Sequence, residues 1–186
     1  MAEAKRRKER ARTIESASMY KGPVFEVRRD TVIEPGGVHA QRDVVVHPGS
    51  VVVLPIFGDG RVLLIRQYRH SIGGFLWELV AGRKEPHESP VVGARRELLE
   101  ETGYSARRLR KILDIFPAPG CVSERMWVFA AEGLQEGAAH PEEDERITPK
   151  IFTVAQVDKM IRSGRMRDAK SVAGLLYYMR YLKRGR

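Results

Sequence analysis

"GRKEPHESPVVGARRELLEETGY", residues 82–104, is the stretch on which the reading of this chain turns. Ser89 and Pro90 open a helix, because serine is a favoured N-cap and proline fits the first helical position. Gly103 closes it, as a residue that enters the left-handed conformation without strain. The predicted helix runs from Pro90 to Thr102. Val91, Ala94 and Leu98 share one face at spacings of three and four, which suits burial. Glu97 and Glu101 lie one turn apart on a different face, with Glu100 beside them. Like charges so placed repel by roughly a few tenths of a kcal/mol per pair. Taken alone, the helix reads as a charged surface face. The alternative is a set of hard oxygen ligands for Mg²⁺ or Mn²⁺, ions that prefer carboxylates and keep waters for substrate phosphates. Arg95 and Arg96 then neutralise or orient the carboxylates from the flanks.

Working outward, the chain alternates strands and helices without a regular repeat. "VFEVRRDTVI" and "VHAQRDVVV" read as strands around the turn Glu34-Pro-Gly-Gly37. "SVVVLPIF" and "RVLLIRQYR" read as a second hairpin, with "GDG" at 58–60 as its turn. Further strands are expected around "LRKILDIF" and "RMWVFAAEGL", followed by the acidic loop "HPEEDERI". Thr153 with Gln156 forms a capping box for a short helix to about Ser163, and Asp168 caps a last helix. The class is α+β around a compact sheet. Three segments are expected: a basic disordered arm over 1–17, a strand region over 18–48, and the main domain over 49–186.

Composition narrows the options. Apolar residues make up 42% of the 186, enough for a packed core. A single cysteine, Cys121, excludes an internal disulfide and fits a reducing compartment. The longest apolar run, "VVVLPIF", falls far short of the ~20 residues that span a bilayer. No apolar segment follows the basic N-terminus, so no signal peptide is expected and the protein is placed in the cytoplasm. The net charge of +9 is concentrated at the two ends, and the body between them is slightly acidic. Those ends read as solvated charge; a nucleic-acid partner is the alternative from another functional class.

The spacing decides between the two readings of the helix. Gly82, five residues, Glu88, seven residues, Arg96-Glu97-Leu98, one residue, Glu100-Glu101, one residue, Gly103-Tyr104: this run resembles the signature of the Nudix hydrolases without a gap. At average usage each fixed match is roughly a one-in-fifteen event, so full agreement by chance is remote. The resemblance implies a Nudix-type α/β/α sandwich with a mixed sheet, preceded by an antiparallel strand region. It implies divalent metal held against a pyrophosphate. By the match, Glu97 and Glu101 are direct metal ligands, Glu100 is a further ligand or holds a metal-bound water, the carbonyl of Ala81 is an additional ligand, and Arg96 orients the cluster. Glu88 is given a structural or electrostatic role.

Stretches outside the signature look like the ADP-ribose pyrophosphatase branch: "RQYRHSIGGFLWELVAG", "PAPGCVSER", "HPEEDERI" and the C-terminal helix. Carried over, Glu143 is the general base and Glu145 an assisting carboxylate. Arg69 and Arg66 suit the substrate phosphates, Glu124 the terminal ribose hydroxyls. Trp77 is expected in the core rather than under an adenine. Relatives of this branch exchange N-terminal strands, which implies a homodimer with Arg42 reaching the neighbour's substrate. His87, Val80 and Ala118 stand where the family more often carries glycine, proline and serine. None of these departures removes a carboxylate.

Overall fold

The computed structural model describes residues 10–138 and 146–183. The chain forms two compact units, Met1–Pro48 with Ala118–Glu124, and Gly49–Pro117 with Arg125–Arg186.

The first unit is a three-stranded antiparallel sheet in the order β1 (Arg12–Lys21), β2 (Glu26–Glu34), β3 (Val38–Val46). The Glu34–Gly37 turn forms as its residues predict. Gly37 donates its N–H to the Glu34 carbonyl at 3.0 Å, and Gly36 takes φ 85°, the left-handed angle that glycine enters freely. Strand β1 starts at Arg12, inside the stretch expected to lack structure through residue 17. All ten of its residues are exposed, so it carries no buried stripe for a periodicity argument to find. Its order comes from the backbone ladder to β2 and from cross-strand polar contacts such as Ser16 to Asp30. The 118–124 loop joins this unit through β3: Val45 donates to the Cys121 carbonyl at 2.8 Å, and Ser123 donates to the Val45 carbonyl at 2.9 Å.

The second unit contains β4 (Ser50–Pro55), β5 (Val62–Arg69), a 3₁₀ turn (His70–Ile72), β6 (Gly74–Glu78) and β7 (Val80–Arg83). Helix α1 (Pro90–Thr102), β8 (Tyr104–Ile115), β9 (Met126–Glu136) and β10 (Ile147–Phe152) follow. Helices α2 (Val154–Arg162) and α3 (Ala169–Tyr177) end it, α3 running on into a π-turn over Tyr178–Leu182. The strands form a mixed sheet, β7-β4-β9-β8, in which β4 and β9 are parallel, and an antiparallel sheet, β10-β5-β6.

The expected β4–β5 hairpin does not form. The two strands meet only at an isolated Ile56–Val62 bridge and then enter different sheets. All of β4, and β5 over Val62–Ile65, are buried on both faces, which a two-stranded ribbon cannot provide. Val51, Val53, Leu63 and Ile65 pack with Ala94 and Leu98 of α1. Val52, Leu54, Val62 and Leu64 pack with Val157, Met160 and Leu175 of α2 and α3. Alternation along two strands thus divides the interior into two layers with helices outside each, the expected α/β/α arrangement. Trp77 packs against the second layer, edge to face with Phe152 at 4.9 Å between ring centres, as expected of a core residue.

Both later helices begin as their caps predict. The Thr153 hydroxyl accepts from the Gln156 N–H, the Gln156 side chain accepts from the Thr153 N–H, and the Asp168 carboxylate accepts from Ser171.

Candidate active site

Helix α1 begins at Pro90 and ends at Thr102, capped by Gly103, whose φ of 74° turns its N–H back to the Leu99 carbonyl at 2.8 Å. Ser89 occupies the N-cap position, but its hydroxyl makes no cap bond. The buried face differs from the one periodicity suggested. Val91 is 38% exposed, whereas Glu97 and Glu101 are buried with Ala94 and Leu98. Two carboxylates therefore stand on the inward side of the helix, where apolar residues would ordinarily sit.

Strand β7 receives them. Glu101 accepts the Ala81 N–H at 3.3 Å. Glu97 presses on Gly82 so closely that a Cβ there would lie 2.0 Å from the carboxylate carbon. A second close approach repeats this on the helix itself: a Cβ on Gly93 would lie 2.6 Å from Glu88 Oε1. Glu88 in turn accepts the Glu85 N–H at 2.7 Å and so folds the 83–89 loop over the start of the helix.

Arg96 lies between the carboxylates. Its Nη1 donates to Glu97 at 2.7 Å and to Glu100 at 2.9 Å, and its Nη2 donates to Glu88 at 3.0 Å and to the Arg83 carbonyl at 3.2 Å. Burial works against its charge, but hydrogen bonds and charge from Glu88, Glu97 and Glu100 outweigh burial and raise its pKa above the ordinary arginine value. The same pairing lowers the pKa of Glu88 against its own burial.

His87 is the one non-glycine residue with positive φ among the described residues, at 66°. It holds the position where the family more often has glycine, and the left-handed backbone supplies the physical reason for that preference.

Among the described residues, no three acidic, histidine or cysteine side chains already converge as a metal cage. Arg96 holds Glu97 and Glu100, and Glu101 rests on the β7 backbone. The donors nevertheless fit Mg²⁺ or Mn²⁺ chemically. Glu97, Glu100, Glu101 and the Ala81 carbonyl are all hard oxygens. The absent Cβ at Gly82 is what lets Glu97 lie directly on the strand carrying that carbonyl.

The other predicted residues lie in distinct settings. Arg69 donates Nε and Nη2 to the two oxygens of Glu78, each at 2.8 Å, so a buried carboxylate rather than open solvent fixes its fork. Arg66 stacks over Phe75 with 4.3 Å from guanidinium carbon to ring centre. In the first unit, Arg42 donates to Glu34 at 2.9 Å, and Glu124 faces His47 Nδ1 at 3.7 Å. Glu143 and Glu145 lie outside the described residues.

Sequence reasoning missed Gly93 and Glu78. Gly93 stands inside a helix, where glycine is unfavourable unless something approaches its backbone. Glu78 interrupts the otherwise apolar "FLWELVAG", and a charge in such a run signals a buried partner.

The fold and the carboxylate helix define a pyrophosphohydrolase-type site, in which α1 presents acidic oxygens to a strand backbone. The NUDIX domain family pattern matches residues 46–175, and the chain belongs to the Nudix hydrolase family. It is 33% identical over 168 residues to an ADP-ribose pyrophosphatase of Bacillus subtilis, spanning 89% of this chain and 91% of that protein. It is 32% identical over 160 residues to a GDP-mannose pyrophosphatase of Pectobacterium atrosepticum, spanning 80% of each. A crystal structure of an ADP compounds hydrolase shares the fold with a TM-score of 0.82 at 23% identity, covering 95% of this chain and 97% of that one. The protein is thus a Nudix pyrophosphohydrolase similar to ADP-ribose pyrophosphatases. Among the described residues no helix is long and apolar enough to cross a membrane.

Proposed function

We propose that this protein hydrolyses the pyrophosphate of ADP-ribose to AMP and ribose 5-phosphate in a Mg²⁺-dependent reaction, in the cytoplasm. The observation that carries the reading is the burial of Glu97 and Glu101 against the Gly82 and Ala81 backbone. Buried carboxylates in that number are tolerable where a cation completes the site. The similarity to the Bacillus subtilis ADP-ribose pyrophosphatase supports the substrate. The Pectobacterium relative makes GDP-mannose, or another nucleoside diphosphate sugar, the alternative.

Glu97, Glu100, Glu101 and the Ala81 carbonyl would hold the metal, with Mn²⁺ an acceptable substitute. When bound, it supplies Lewis-acid stabilisation of charge on the phosphoryl oxygens. Arg96 keeps Glu97 and Glu100 oriented. Glu143 takes the proton of the attacking water as its oxygen bonds to phosphorus and the bridging P–O bond breaks; Glu145 assists. Arg69, its Nε and Nη2 fixed by Glu78, directs its remaining nitrogen to a substrate phosphate, and Arg66 serves the same anion. Glu124 holds the terminal ribose hydroxyls. The apolar side chains exposed on β1, among them Ile14, Met19 and Tyr20, support a homodimer that covers or exchanges these strands, with Arg42 reaching the partner's substrate.

A panel assay with Mg²⁺ tests the substrate: AMP release from ADP-ribose is expected to exceed turnover of GDP-mannose and other nucleotide sugars, and a preference for GDP-mannose overturns the assignment. Glu97→Gln and Glu101→Gln are expected to lose orders of magnitude in activity with the circular dichroism spectrum preserved. Wild-type-like turnover in either variant refutes the metal-site assignment. Glu143→Gln is expected to lower kcat by about 10²–10⁴-fold.

A further inference from the structure

A second buried charge cluster lies in the same unit, outside the signature helix. Glu78 is 1% exposed and Lys170 8% exposed. Glu78 accepts both forks of Arg69 and also the Lys170 ammonium. Lys170 reaches Asp168 at 3.0 Å. Asp168 caps α3 by accepting the Ser171 N–H at 3.0 Å and also accepts a hydrogen bond from the Ser171 hydroxyl. The hydroxyl oxygen, fully buried, accepts the Leu79 N–H at 2.7 Å. Two cations and two anions therefore balance within one chain of contacts.

The position of that chain gives it a role. Leu79 is the single residue between β6 and β7, where the backbone leaves one sheet for the other. Two residues on, Ala81 donates its N–H to Glu101 and carries the carbonyl assigned to the metal. Arg69, at the other end of the cluster, feels the charge of Glu101 as well as that of Glu78. Gly174, one turn after Lys170 on α3, faces Leu79: a Cβ there would lie 2.8 Å from Leu79 Cδ1, so the helix sits directly on the crossover.

We propose that Glu78, Lys170, Asp168 and Ser171 form a brace that positions the Leu79–Ala81 backbone, and through it the Ala81 and Glu101 part of the metal site. They act as positioning residues, not catalytic ones, and the proposal rests on the metal assignment made above. Ordered partners behind metal ligands typically change metal affinity or activity by about 10–100-fold when removed. A merely structural cluster would lower the unfolding temperature and leave metal affinity in the folded protein unchanged.

The test is Mn²⁺ affinity of the full chain, read from the electron paramagnetic resonance signal of free Mn²⁺ without substrate, beside kcat and KM. Ser171→Ala removes the acceptor for Leu79 without changing any charge; Glu78→Gln removes the central anion at nearly constant shape. Each is expected to weaken Mn²⁺ binding about 10-fold and to lower kcat more than it raises KM. Lys170→Met is the third member, so that a variant that fails to fold leaves two to decide. A folded Ser171→Ala protein with wild-type Mn²⁺ affinity and kcat overturns the brace while leaving the metal assignment standing. A wild-type chain that binds no Mn²⁺ overturns both.

Discussion

Replacing Gly82 by alanine tests the site at its tightest point. The new methyl carbon would lie 2.0 Å from the Glu97 carboxylate carbon and Oε1, and 2.3 Å from Oε2. Ordinary contact for a Cβ begins near 3.4 Å, so the carboxylate must retreat by about 1.4 Å or the strand must shift by as much. Glu97 cannot move that far without lengthening its 2.7 Å bond to Arg96. A hydrogen bond to a charged group contributes about 1.5–3 kcal/mol. In a chain of this length, that lowers the unfolding temperature by roughly 3–12 °C. A misplacement of about 1 Å at a reacting site lowers turnover by about 10²-fold. Thermal unfolding and Mg²⁺-dependent ADP-ribose hydrolysis measure both effects. Gly58→Ala is the control, because its Cβ would meet nothing within 4 Å and its φ is not positive; stability should stay within about 1 kcal/mol. A Gly82→Ala protein with wild-type unfolding temperature and activity would refute the argument that this glycine is required by the approach of Glu97.

Other outcomes follow from the same geometry. Arg96→Met leaves Glu88, Glu97 and Glu100 without their shared donor; stability should fall by about 1.5–3 kcal/mol in metal-free buffer and recover in part with Mg²⁺, as differential scanning calorimetry would register. His87→Gly relieves the cost of a side chain on a left-handed backbone and should raise stability by about 0.5–1 kcal/mol in urea unfolding. Burial raises the pKa of Glu78, but Arg69 and Lys170 outweigh it and leave the value below 4.5. A lowered carboxylate pKa gives stability that is present above the ordinary value and lost as pH falls through the folded one. The stability gap between wild type and Glu78→Gln should therefore be full at neutral pH and narrow below about pH 4.5.

Much of this was legible from local chemistry. Pro90 and Gly103, the Thr153–Gln156 box and the Pro35-Gly36 turn each contain their own reason, so the sequence states them directly. The β4–β5 hairpin failed because turn residues say that a chain reverses, not whether the two strands then pair. Strand β10 was not anticipated: five of its six residues, all but Phe152, are not buried, and it sits at a sheet edge where proline is tolerated. The carboxylate spacing identified Glu97 and Glu101, but not their burial, which depends on a strand that approaches only because Gly82 lacks a side chain. The pairing of Glu78 with Arg69 and Lys170 joins residues up to 92 positions apart, a separation at which no local pattern operates. Glu143 and Glu145 lie outside the described residues, so their assignment rests on the sequence alone.

The position of Arg96 bears on how the site would respond to its ion. Glu97 and Glu100 already share a counterion that the chain itself supplies. A divalent ion arriving there exchanges with that counterion or shares its partners instead of meeting bare anions. Its binding free energy is then a difference between two sets of contacts, smaller than the ion's own contacts alone would give. Such an exchange keeps the ion-free protein folded and lets occupancy follow the concentration of the ion in the surrounding solution. The enzyme's working state would be set by supply, with the tethered guanidinium as the standing competitor.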